Sequence, residues 1–271
     1  MLALIRGAGD LASGIALRLW RSGIEVVMTD LPRPTAIRRT VSFSDAITHG
    51  TMTVEDVSAQ FAGNAQQARE ILSHGMIPVL ADPECVCRGE LKPDALVDAI
   101  LAKRNLGTRI TDAPVVIGVG PGFTAEEDCH AVVETMRGHM LGRAIYQGSA
   151  LPNTNIPGLI GGFAGERVLR APADGVFEST RKIGDLVREG DTVGFVAGEP
   201  MRATISGVLR GLLADGVEVN RGMKSGDVDP RGEVSYCDTV SDKASAIGGG
   251  VLEAILHLSG VLRAEKSGTV S

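Results

Sequence analysis

The sequence predicts an α/β protein: a doubly wound parallel sheet, then a small all-β repeat, then a terminal helix. Three observations carry this. The first 30 residues read strand, glycine turn, helix, strand. Short aliphatic runs then alternate with helical stretches through residue 119. Residues 171–194 and 203–226 match each other at an offset of 32.

Residues 2–5 form a buried-strand run, and Leu11 to Arg21 has helical spacing, closed by Gly23. "IEVVMTD" (24–30) is a second strand ending at Asp30. Between them lies "RGAGDLASG" (6–14). Gly7-x-Gly9-x-x-Ala12 fits a dinucleotide fingerprint, and the domain is therefore expected to be Rossmann-like. The first glycine makes the turn, the second lets backbone N–H groups approach a pyrophosphate, and the small third residue lets helix and strand pack closely. Asp30 stands 21 positions after Gly9, where a carboxylate would hold a ribose hydroxyl. Asp10, in the first turn of the helix, suits the helix dipole but competes with phosphate for the same N–H groups. A turn that serves only the fold is the alternative reading.

"NAQQAREILSHG" (64–75) has helical spacing with Asn64 as cap, and "MIPVLAD" (76–82) is a strand. "DALVDAIL" (94–101) reads as a strand ending in Asp98 or as a helix start, and "APVVIGV" (113–119) as a buried strand. The turn Gly118 to Phe123, with Gly120 and Gly122, leads to Thr124-Ala-Glu-Glu127, a capping box that predicts a helix. Ligands of open α/β sheets sit where such turns meet.

Two loops are basic. "RPTAIRRT" (33–40) carries Arg38 and Arg39 just after the second strand, and "RGHMLGR" (137–143) carries Arg137, His139 and Arg143. Arginine forks suit phosphate or carboxylate. In a chain of net charge −6, two cationic loops point to a small anionic ligand, and the acidic total argues against nucleic acid and anionic membranes. No apolar run approaches the roughly 20 residues of a membrane span, and "MLALI" lacks the basic flank of a signal peptide. Four cysteines without a framework spacing place the chain in a reducing cytoplasm. Cys85 and Cys87 are ordinary cysteines or thiolate carriers of selenium or sulfur, and no metal site is expected.

In the repeat, Gly175, Gly184 and Gly190 pair with Gly207, Gly216 and Gly222. The order "AP.DG" and "GD.V..GD" resembles the barrel-sandwich hybrid of lipoyl and biotinyl domains. Such carriers present a lysine on the central hairpin, and here Pro200 or Met201 stands there, so neither biotin nor lipoate attachment is expected. "KSGDVDPR" (224–231) reads as a solvated turn or as a cation site through Asp227 and Asp229. "SAIGGGVLEAILHL" (245–258) is a glycine-led helix returning to the first domain. The expected boundaries are 1–165, 166–235 and 236–271.

"GAGDLASGIALRL", "RPTAIRRTVSF", "VDAILAKRNLGT", "APVVIGVGPGFTA", "VVETMRGHMLGR" and "GMKSGDVDPRG", taken together, resemble the YqeB-like family of accessory proteins of selenium-dependent molybdenum hydroxylase systems. The resemblance implies molybdenum cofactor maturation for a xanthine dehydrogenase-like enzyme. Its implied partners are that hydroxylase and its other maturation proteins, and its implied ligand is NAD(P), another nucleotide or a molybdopterin-type cofactor. The first turn also resembles that of xanthine dehydrogenase accessory proteins, which carry histidine where Asp10 stands here. The alternatives are an NAD(P)-dependent oxidoreductase and a non-catalytic scaffold that docks a partner through its β unit. Monomer and homo-oligomer both remain open.

Overall fold

The structure, a computed structural model, describes residues 1–154 and 157–264. A nine-stranded sheet organises the first part. Its spatial order is Ala144–Ile145, Ala131–Val133, Val115–Val119, Ala95–Asp98, Leu2–Arg6, Glu25–Thr29, Ile77–Leu80, Val57–Ala62 and Thr51–Val54. The inner seven strands run parallel, and the strand at each edge is antiparallel to its neighbour. The inner strands are nearly continuous apolar runs because helices cover both faces. Ile5, Val97 and Ile117 point to the face covered by helices Asp10–Arg21 and Asp242–Ser259, while Leu4, Leu96 and Val116 point to the face under helix Ala65–Ser73.

Residues 168–229 form two four-stranded antiparallel sheets around their own core, which includes Phe177, Val193, Leu209 and Val228. The 32-residue offset is built into the strands. Gly175–Ser179, Leu186–Val187 and Thr192–Val196 correspond to Gly207–Leu212, Glu218–Val219 and Lys224–Asp229. The turn glycines correspond as well: Gly184 and Gly216 have φ of 98° and 82°, and Gly190 and Gly222 have 89° and 83°. Positive φ explains why glycine recurs there.

This architecture corrects the expected fold class. A Rossmann-like doubly wound domain joined to a lipoyl/biotinyl-like barrel does not describe it: the large sheet is mixed, and the second part is two separate antiparallel sheets. Two local causes are visible. The edge hairpin Thr51–Ala62 closes through Glu55, whose φ is 54°, and this two-residue turn forces antiparallel pairing. The helix expected at Thr124 does not form. Thr124–Ala125 is a short strand paired with Gly148–Ser149, Glu126 takes φ 76°, and the Asp128 carboxylate accepts the Thr124 N–H at 2.8 Å. Asp128 thus satisfies the donor that a helix would leave open, and the chain turns back.

Strand Ala95–Asp98 reaches Val115–Val119 without a crossover helix, so part of one sheet face lacks a helix of its own. The helix Asp242–Ser259 fills that place, packed beside the first helix and over strands Val115–Val119 and Ala131–Val133. It starts three residues before the expected 245, capped by Ser241, whose hydroxyl accepts the Ala244 N–H at 3.2 Å. Glycines make the approach close: a Cβ at Gly14 would stand 2.5 Å from the Ala244 Cβ. The last part of the expected terminal segment, 265–271, lies outside the described residues.

Candidate functional site

Two cavities adjoin at Asp10, Leu11 and Leu101. The first, of about 550 Å³, lies over the glycine turn. Strand Leu2–Arg6 delivers the chain to Gly7, whose φ of 105° and position against the Ala99 carbonyl exclude a side chain. Gly9 differs: a Cβ there would meet nothing within 4 Å. The protein does not need glycine at 9 for packing, and the space above it belongs to the cavity. Ala12 and Asp30 line the same cavity. The Asp30 carboxylate accepts the Ala8 N–H at 2.8 Å and the Leu31 N–H at 2.7 Å, and burial pushes its pKa up. Each oxygen retains acceptor capacity toward a ligand hydroxyl.

The second cavity, of about 570 Å³, lies between the large sheet and the repeat. Among the described residues eight Lys or Arg side chains line it, against three carboxylates, Asp10, Glu134 and Asp227. Glu134 is buried and committed, accepting N–H groups of Thr135, Met136 and Leu151 at 2.7–2.8 Å. Asp227 is buried between two arginines, receiving Arg210 at 2.5 and 3.0 Å and Arg167 by a short contact. Lys224 and Lys243 make no hydrogen bond or ion pair among the described residues. Partial loss of hydration beside the cavity wall holds both ammonium groups below their usual range, Lys224 although its residue is exposed and Lys243 half-buried. Arg38 and Arg167, each 7% exposed, leave their Nε atoms buried without a partner. A cavity with this excess of positive charge fits an anion.

The residues singled out from the sequence divide into three groups. Gly7, Gly9, Asp10, Ala12 and Asp30 surround the glycine cavity, and Asp10, Arg38 and Arg137 line the basic one. Arg39, Gly120, Gly122, His139 and Arg143 line neither. Arg39 donates to the Leu212 carbonyl at 3.0 Å, tying the loop to the repeat. Gly120 and Gly122 serve packing: a Cβ would press on Thr135 in one case and on the Arg104 backbone in the other. His139 and Arg143 are exposed. Arg38 also has a structural task, donating to the carbonyls of Tyr236 and Thr239 at 2.8 and 3.2 Å, with Asp10 3.8 Å away. Arg137 grips Asp242 at 2.6 and 2.9 Å and holds its carboxyl down at about 2.

Sequence reasoning missed Arg167, Arg170, Arg210, Lys224 and Lys243. The reading of 224–231 is corrected. Lys224–Asp229 is a strand, and Asp227 and Asp229 are buried against arginines instead of lying in a solvated turn or holding a cation. Cys85 and Cys87 are buried. Burial raises both thiols, Cys85 to about 11 despite its contact with the Thr29 hydroxyl at 3.1 Å. Among the described residues, no three His, Cys, Asp or Glu side chains are placed to hold a metal, and no helix is long and apolar enough to cross a membrane.

Comparison with known proteins adds a sequence kinship. The chain is 54% identical over 257 residues to the uncharacterized protein YqeB of Escherichia coli (strain K12), covering 95% of this chain and 48% of that protein. It thus spans about half the length of the curated relative it matches, and the identity supports a YqeB-like family. No family model matches. Among solved structures, similarity extends to a succinylglutamate desuccinylase/aspartoacylase from Rhodobacter sphaeroides, with 26% identity, 24% of this chain and 22% of the other covered, and a TM-score of 0.22. It extends also to a succinylglutamate desuccinylase from a Silicibacter species, with 15% identity, 84% of each chain and a TM-score of 0.25. At such scores the likeness carries no argument about fold or activity, and neither comparison restores the expected fold class.

Proposed function

We propose, from the premise of a YqeB-like sequence, that this chain binds a phosphate-bearing nucleotide or pterin cofactor. In this reading it serves as an accessory protein in maturation of a molybdenum hydroxylase of the selenium-dependent type. The observation that carries the ligand class is the basic cavity opening beside the glycine turn, lined by two lysine ammonium groups and two buried arginine Nε atoms that take no hydrogen bond among the described residues. The hydroxylase partner rests on the sequence resemblance alone.

In this reading the chain binds and presents; it does not transform. Lys224 and Lys243 would neutralise phosphate oxygens, and Asp30 would accept from a ligand hydroxyl. Gly9 would let the ligand lie against backbone. An NAD(P)-dependent oxidoreductase is less well supported. Arg38 and Arg39, which would read a 2′-phosphate, are tied to Tyr236, Thr239 and Leu212.

Thermal melting with a ligand panel tests the reading. A nucleotide or pterin phosphate present at about 100 times its Kd adds roughly 2.7 kcal/mol to stability. Stabilisation by such a compound without turnover is expected, together with co-purification of a molybdenum enzyme. Absence of stabilisation by any phosphate compound would sink the ligand-binding reading, and hydride transfer from NAD(P)H would replace it with the oxidoreductase.

A further inference from the structure

Resting on that reading, we infer that the ligand's phosphates lie at one end and occupy the basic cavity, away from the glycine turn. The ligand class is then an organic compound with terminal phosphates and a neutral head, such as a nucleoside or pterin di- or triphosphate. A dinucleotide with a central pyrophosphate does not fit this arrangement.

Charge is separated between the two adjoining cavities. The glycine cavity is walled largely by small and aliphatic residues, among them Ala12, Ala99, Ile100 and Leu106. Among the described residues its carboxylates are Asp10, Asp30 and Glu84, and its single cation is Arg6. Arg6 is spent within the protein: it donates to the Pro83 and Leu106 carbonyls, Asp98, Thr108 and Glu84 at 2.9–3.4 Å. Phosphate placed at this turn would meet Asp10, whose carboxylate is on the first residue of the helix and borders both cavities. Like charges there cost affinity. Across Asp10 the sign reverses. Among the described residues, no hydrogen bond or ion pair holds the ammonium groups of Lys224 and Lys243, the Arg170 guanidinium donates to the Gly222 carbonyl at 2.9 Å, and Arg38 and Arg167 hold Nε groups without a hydrogen-bond partner. Asp10 thus works as a divider, repelling phosphate from the turn and attracting Arg38 at 3.8 Å.

Inorganic pyrophosphate and ATP, titrated calorimetrically into the full chain, test this. Binding of both is expected. The double variant Lys224→Gln/Lys243→Gln should weaken both by about tenfold or more, as for loss of hydrogen bonds from charged groups. Gly9→Val should weaken ATP by a similar factor and leave pyrophosphate within about twofold, because only the head reaches the turn. Circular dichroism melts of each variant establish that it is folded. If Gly9→Val abolishes pyrophosphate binding while the lysine variant keeps it, the phosphates sit on the turn; the inference falls and the proposed function survives. If neither probe nor any other phosphate compound binds wild type, both fall.

Discussion

Gly250 of the long terminal helix lies directly on the backbone of Gly142, so closely that a Cβ at 250 would overlap the Gly142 carbonyl oxygen. Backbone cannot move aside as a flexible side chain can. Gly250→Ala should therefore destabilise the fold by about 1–3 kcal/mol or more, the range for overpacking. The adjacent Gly249 is the internal control. A Cβ there meets nothing within 4 Å, and helical glycine costs roughly 1 kcal/mol relative to alanine. Gly249→Ala should raise stability while its neighbour lowers it, and urea denaturation of the two variants reads both signs.

Arg210 bridges two buried carboxylates, Asp227 and Asp229, within the repeat. Arg210→Met keeps most of the volume and strands part of that negative charge. A loss of about 3–5 kcal/mol is expected, as for breaking a buried pair. Adding Asp227→Asn should recover part of the loss, since the two residues are coupled. Strict additivity in a double-mutant cycle would contradict the network described for this cavity wall.

Arg137 depresses the Asp242 carboxyl to about 2, below its ordinary value near 3.9. The stabilisation is therefore complete above about pH 4 and is lost as pH falls toward 2. Asp242 is largely exposed, so the effect on stability is small. Carboxyl NMR titration is the direct reading: Arg137→Gln should return Asp242 to the ordinary range, and an unchanged titration would exclude Arg137 as the cause.

Lys224 and Lys243 are held below the ordinary lysine range by partial loss of hydration at the cavity wall. Phosphate affinity requires their charged forms. Binding should therefore weaken as pH rises, starting below the ordinary lysine pKa of about 10.4. The double variant Lys224→Gln/Lys243→Gln should flatten that alkaline limb. A limb identical in wild type and variant would assign it to other groups.

Cys85, raised to about 11, exposes roughly one thiolate per thousand molecules at pH 8 even before access is considered. Native protein should resist iodoacetamide at Cys85, and denatured protein should react. Rapid labelling of the native chain, located by peptide mass, would reopen its role as a carrier of selenium or sulfur.

Local chemistry was the legible part of the sequence. Apolar run, glycine and helical spacing mark Leu2–Arg6, Asp10–Arg21 and Glu25–Thr29 because each signal comes from neighbours along the chain. The same locality misled at Thr124. The capping-box pattern is genuine, but Asp128 and a left-handed Glu126 use it for a turn. The edge hairpin, one of the two antiparallel edges of the sheet, depends on a two-residue turn at Glu55 that no glycine announces. At the site, the glycine turn could be read and the basic wall could not. "KSGDVD" looks polar enough to be solvated, and Arg167 and Arg210, 60 and 17 positions from Asp227, together with Arg231 beside Asp229, make its burial tolerable.

The helix that completes the large sheet has a kinetic consequence. Gly14 and Ala244 touch across most of the sequence, and residues 242–259 close over helix Asp10–Arg21 and strands Val115–Val119 and Ala131–Val133. On the ribosome, where chains emerge at roughly 5–20 residues per second, helix Asp10–Arg21 waits about ten seconds or more for this partner. Over that interval a nascent chain carries an open aliphatic patch, and its survival depends on whatever shields that patch until helix Asp242–Ser259 arrives.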